Sequence, residues 1–139
     1  MDVISAHGFL ATRKNGVLAT IRSNGYPQLS NITYSLNDGV IHISVTDSRA
    51  KTRNLRRTPR ASLHITSENF WEFVVVEAEP QLSPVTLSPD DATAAMLRQY
   101  YRDVAGEHDD WDEYDAAMIA ERRLIISMPL THVYGQLKG

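Results

Sequence analysis

Two short turn signals near the start of the chain, Ser23-Asn24-Gly25 and Asn37-Asp38-Gly39, each separate stretches that read as strands. Asn-Gly and Asp-Gly pairs favour tight hairpins, because both central positions of a type I′ turn need positive φ. The runs Val17 to Arg22, Pro27 to Leu36 and Val40 to Thr46 are therefore expected as antiparallel neighbours. In the third run Ile41, Ile43 and Val45 alternate with His42, Ser44 and Thr46, giving one apolar and one polar face.

The rest of the pattern adds helices to this sheet. A short helical lead-in ends near Arg13. Ser48 can cap a helix from about Arg49 to Arg57, which Pro59 ends. A strand follows from Arg60 to Thr66, and residues 73–82 begin as a buried run whose Pro80 marks an edge or bulge. Ser88-Pro89-Asp90-Asp91 reads as a helix start, with Ser88 as cap and Pro89 in the first helical position. That helix runs to about Ala105 and stops at Gly106. Another begins near Asp109 or Asp110 and carries Trp111, Tyr114 and Met118 inward, before a final strand from Leu124 to Tyr134. About six strands with no parallel βαβ alternation imply one mainly β (α+β) domain over residues 1–139, an antiparallel barrel with helices on its outside.

Composition narrows the function. There is no cysteine, which excludes disulfides, thiolate zinc sites, iron–sulfur clusters and a cysteine nucleophile. Five histidines lack metal-ligand spacing, so no metal site is expected. The formal charge of −3 argues against a general nucleic-acid binder. Neither a secretory leader nor a membrane-spanning run is read, so a cytoplasmic protein is expected.

One stretch breaks the acidic balance. Ser48 to Arg60 holds six of the fourteen basic residues and none of the seventeen acidic ones. Arg49, Lys51 and Thr52 fall where a helix start offers free N–H groups to an anion, and the alternative is a solvated basic helix. Along Pro27 to Tyr34, Gln28 and Ser30 share one face while Asn31 and Thr33 share the other. These amides and hydroxyls either meet a ligand or partner chain, or belong to an edge strand satisfied by water.

Taken in order, Gly16-Val17-Leu18-Ala19-Thr20, Gly25-Tyr26-Pro27-Gln28-Leu29-Ser30-Asn31, Ser48-Arg49-Ala50-Lys51-Thr52-Arg53-Asn54-Leu55 and Pro59-Arg60-Ala61-Ser62-Leu63 resemble a known family. They are similar to the flavin- and deazaflavin-binding split β-barrel proteins of the pyridoxamine-5′-phosphate-oxidase-like superfamily. Ala105-Gly106-Glu107-His108-Asp109-Asp110-Trp111 and Pro129-Leu130-Thr131-His132-Val133-Tyr134-Gly135 point within it to the actinobacterial branch that uses coenzyme F420.

The resemblance implies a split antiparallel barrel, a homodimer with the cofactor between protomers, and hydride transfer from reduced F420 to an enone- or quinone-type small molecule. FMN is the alternative cofactor, and a non-catalytic carrier the alternative role. It places Lys51 at the cofactor phosphate, with Arg49, Thr52 and Asn54 around it. Gln28, Ser30 and Asn31 match the strand under the ring, and Ser44 and Thr46 the strand end leading into the phosphate loop. Trp71 falls where the partner approaches the ring, and His132 and Tyr134 border the substrate side. Pyridoxine-phosphate oxidases carry a C-terminal extension with a substrate-gripping Arg and His, whereas this sequence stops at Gly139, so oxidation of B6 vitamers is not expected.

Overall fold

The computed structural model describes residues 1–138. Two antiparallel sheets pack face to face around one core, with four helices on the periphery. The helices are α1 (Val3–Ala11), α2 (Ala50–Arg57), α3 (Ala92–Ala105) and α4 (Trp111–Ala120). The strands are β1 (Asn15–Ile21), β2 (Pro27–Thr33), β3 (Ser35–Asn37), β4 (Val40–Thr46), β5 (Ala61–Thr66), β6 (Phe73–Ala78), β7 (Gln81–Leu82), β8 (Arg123–Pro129) and β9 (His132–Gln136). One sheet has the order β2-β1-β5-β6-β9 and the other β3-β4-β8-β7. The sheets do not close, which makes the barrel a split one.

Nine strands replace the expected six because three runs bend from one sheet into the other. Pro27 to Leu36 divides at Tyr34, Leu124 to Tyr134 at Leu130-Thr131, and residues 73–82 at Glu79-Pro80. At the first corner Tyr34 and Ser35 are buried in succession, which strict alternation forbids. Tyr34 is anchored there by donating its hydroxyl to the Leu10 carbonyl at 2.7 Å.

Inward-facing Leu18, Leu63, Val74 and Val76 of the first sheet meet Ile41, Ile43, Leu124 and Ile126 of the second. Phe9 and Leu10 of α1 and Leu55 of α2 plug the same core. Helices α3 and α4 cover the outer face of the four-stranded sheet, where Leu97, Tyr114 and Ile125 form a second cluster. Among the described residues no helix lies on the outer face of the five-stranded sheet, and Leu29 and Tyr134 stand 63% and 51% exposed there. No helix among the described residues is long and apolar enough to cross a membrane.

The turns and caps differ from expectation in instructive ways. Asp38 and Gly39 both have positive φ, as a type I′ hairpin requires. At the first hairpin only Gly25 does, and its N–H donates to the Arg22 carbonyl at 2.9 Å. This is the three-residue loop in which a type I turn is followed by a left-handed glycine. Ser48 does not cap α2, whose N-cap is Arg49 with no side-chain bond.

Helix α3 is capped by Asp91, leaving Ser88 and Pro89 outside. The Asp91 carboxylate accepts from the N–H groups of Leu87, Ser88 and Ala94 and from the Thr86 hydroxyl, more donors than one hydroxyl could satisfy. Burial alone would raise its pKa, yet these donors hold it below the ordinary 3.8. A depressed carboxylate contributes stability above its unfolded-state value and loses it as pH falls through the folded-state one. Asp91→Ala should therefore cost about 1–2 kcal/mol at neutral pH. In urea titrations the difference from the parent should shrink below the ordinary carboxylate range, and a difference constant down to strongly acid pH would contradict the ionic cap.

Candidate functional site

Helix α2 leaves β4 through a tight link: the Thr52 hydroxyl donates to the Thr46 carbonyl at 2.9 Å. The Asn54 side-chain amide donates to the Thr20 hydroxyl at 3.2 Å, and Arg57 donates to the Asn54 Oδ1 and to the Ile21 backbone carbonyl. Thr52 and Asn54 are both buried. Their side chains fasten α2 across β4 and β1, fixing the direction in which its first turn points.

That first turn presents cations. Among the described residues neither Arg49 nor Lys51 forms an ion pair, whereas Arg56 pairs with Asp47 at 2.5 Å. Lys51 is half-buried, and its pKa is pushed down by burial first, then by the positive charges of Arg49 and Arg123. Arg123 stands on β8 directly opposite Thr46 of β4. It directs one nitrogen toward the Ser44 hydroxyl at 3.5 Å, while Glu121 accepts from its other edge at 2.9 and 3.1 Å. Three cations and a hydroxyl thus converge, with Glu121 as the carboxylate bonded to one of them. Like charges so placed repel, and a multiply charged anion would relieve the repulsion.

Sequence reasoning missed Arg123. It falls between the last expected helix and the strand expected from Leu124, and its approach to Lys51 depends on the pairing of β8 with β4. Its charge and its position next to an expected strand were the only signals available.

The β2 residues divide as the alternation implied. Gln28 lies opposite Thr20 and Ser30 opposite Leu18, so both share the face on which α2 sits. Asn31 is on the other face, lining a hollow of about 520 Å³ with Thr33, His64 and Thr66. Within one chain Asn31 is therefore not brought together with Gln28 and Ser30.

Trp71 is 66% exposed in the loop between β5 and β6, held by the Asn69 side chain, which accepts from the Trp71 N–H at 3.1 Å. This loop follows Thr66 at the Asn15 end of the five-stranded sheet, while α2 is fastened at the Thr20 end, about 17 Å of strand away. His132 and Tyr134 lie on the uncovered face, opposite Glu77 and Val75. A groove of about 760 Å³ there is lined by Ile21, Arg60, Ser62, Glu77, Glu79 and His132 among others.

A family model described as pyridoxamine 5′-phosphate oxidase matches residues 5–135. The chain belongs to the pyridoxamine 5′-phosphate oxidase family. Solved structures share its fold across that span. The conserved hypothetical protein Rv2991 from Mycobacterium tuberculosis is similar at a TM-score of 0.77 and 20% identity, covering 97% of this chain and 84% of that one. An F420 reductase is similar at 0.70 and 21%, covering 92% and 94%. HutZ, a heme storage protein from Vibrio cholerae, is similar at 0.68 and 14%, covering 96% and 92%. Proteins of this fold thus include one named for F420 and one named for heme, and a shared fold does not by itself choose between such ligands.

Proposed function

We propose that the protein is a reductase that binds coenzyme F420 and serves hydride transfer to an unsaturated small molecule of the enone or quinone type. The reading rests on one observation, the convergence of Arg49, Lys51 and Arg123 near Ser44, with no carboxylate paired to the first two among the described residues. Such a cluster suits the phosphate-bearing tail of a deazaflavin or flavin. The family assignment and the F420 reductase of the same fold support the redox assignment.

Bound there, the reduced ring would supply the hydride. The chain's own residues would bind and orient. Lys51 and Arg49 hold the anionic tail, with Arg123 behind them. Gln28 and Ser30 offer amide and hydroxyl groups on the side of β2 that faces α2, and Ser44 and Thr46 flank the tail on β4. Thr52 and Asn54 keep the helix start in place. We assign Asn31, Trp71, His132 and Tyr134 to a second copy's contribution: they lie on or beside the uncovered sheet face, where two protomers would pack as a homodimer. Exposed Leu29 and Tyr134 give that face its apolar character.

FMN is the second reading, because an oxidase family model matches the chain and the FMN tail also carries a phosphate. Titration of each cofactor, followed by absorbance and by quenching of the two tryptophans, separates them. Saturable F420 binding, with turnover of reduced F420 against enones and quinones, is the expected result. Binding without turnover would mark a carrier, and indifference to both cofactors would remove the reading. Sedimentation should give a dimer that Tyr134→Lys weakens.

A further inference from the structure

On the helix-covered side of the molecule, away from the uncovered sheet, lies a cavity of about 330 Å³ between α3 and the four-stranded sheet. Ser35, Asn37, His42, Met96, Gln99 and Tyr100 line it. Ser35 is 4% exposed, and its hydroxyl is the buried side-chain polar group without a partner among the described residues. It stands directly opposite His42 on the face of the sheet that α3 covers, so the hydroxyl is turned toward the cavity that His42 lines. A buried hydroxyl with no bond costs free energy unless something meets it.

The remaining groups say what that something is. Asp103 of α3 accepts from the side-chain amides of both Asn37 and Gln99. A carboxylate can only accept, so each amide must turn its NH₂ to Asp103, which leaves both amide carbonyl oxygens without a partner among the described residues. The Tyr100 hydroxyl spends its proton on the Thr33 carbonyl at 2.8 Å, with the Ser44 backbone N–H beside it, and so brings no free donor to the cavity. His42 is half-buried, and burial lowers its pKa although Asp103 opposes the shift, which favours the neutral ring and its one acceptor nitrogen. No Lys or Arg lines the cavity, and exposed Asp38 adds a carboxylate. Met96 and the Tyr100 ring supply apolar wall.

Acceptors therefore outnumber donors, negative charge borders the opening, and the volume lies at the compact end of ligand pockets. We infer that this cavity is a binding site for a small primary amine, taken as its ammonium with a short apolar body against Met96 and Tyr100. The ammonium's three donors match Ser35 and the two amide carbonyls. The inference does not rest on the cofactor reading, since none of these residues belongs to the cation cluster.

The test is an amide-detected NMR titration of the full chain with benzylammonium, with benzoate and benzyl alcohol in parallel. Saturable shifts at Ser35, His42 and Gln99 are expected with benzylammonium, and roughly tenfold or greater weakening with either control. Gln99 is exposed, so Gln99→Lys keeps the fold while placing a competing ammonium at the cavity. It should weaken benzylammonium by roughly tenfold or more. Met96→Trp should remove saturation by filling the space. Absence of saturation at millimolar benzylammonium, equal affinity for benzoate, or full binding by Gln99→Lys overturns the proposal.

Discussion

Gly135→Ala should cost the protein roughly 3–5 kcal/mol of folding stability, combining backbone strain with overpacking. Gly135 has φ +152 and lies on β9 opposite Val74 of β6. A Cβ there would sit 2.1 Å from the Phe73 carbonyl oxygen, 2.9 Å from its carbon and 3.0 Å from the Val74 Cα. All three are backbone atoms, so relief requires β9 to leave β6. Against a typical total of about 5–15 kcal/mol, the variant should be marginal or unfolded at ordinary temperature. Gly8→Ala is the control: nothing lies within 4 Å of its Cβ, and it sits inside α1. It should gain about 0.5–1 kcal/mol. Urea unfolding reads both, and a Gly135→Ala midpoint equal to the parent's would mean that β9 does not pair with β6 in this register.

Lys51→Ala should weaken cofactor binding by about 1–3 kcal/mol, roughly 5- to 150-fold in Kd, the scale of a charge-assisted contact. The same change should leave the cofactor-free protein as stable as before or more so. Burial and two neighbouring cations penalise the Lys51 charge in the folded state. That penalty is fully present below the lowered folded-state value, where the lysine is charged folded and unfolded. It fades as pH rises from the lowered folded-state value toward the ordinary 10.5. Opposite signs for binding and stability distinguish an anchor from a structural lysine. Arg53→Ala, at an exposed position without an ion pair among the described residues, should change neither. Unaltered cofactor affinity in Lys51→Ala would remove the anchor.

Local chemistry explains which parts of this molecule could be read from its residues. Alternation in Val40 to Thr46 placed Ile41, Ile43 and Val45 in the core, and the structure keeps them there. Asn24-Gly25 and Asp38-Gly39 marked two hairpins, though only the second is type I′, because its loop has two residues whereas the first has three and closes with a type I turn and a left-handed glycine. The corner at Tyr34 has no Gly or Pro to announce it; its cause is a hydroxyl reaching the Leu10 carbonyl, a contact between distant segments. Ser88 was the expected cap of α3, and the N–H groups of Leu87, Ser88 and Ala94, gathered on one carboxylate by the fold, select Asp91 instead. In the candidate site, Arg49 and Lys51 were legible from charge without acid. The internal bonds of Thr52 and Asn54 were not, since neither Thr46 nor Thr20 is marked as their partner by spacing alone.

The position of β8 between β4 and β7 sets the order in which the molecule can be assembled. As the chain emerges from the ribosome, β4 must wait for some eighty residues before the strand that completes it is made. Until then a long, apolar edge is open to any neighbouring nascent chain, a hazard of topologies dominated by distant pairings. The expectation is a protein whose yield falls with the rate and crowding of its synthesis well before its finished fold is at risk.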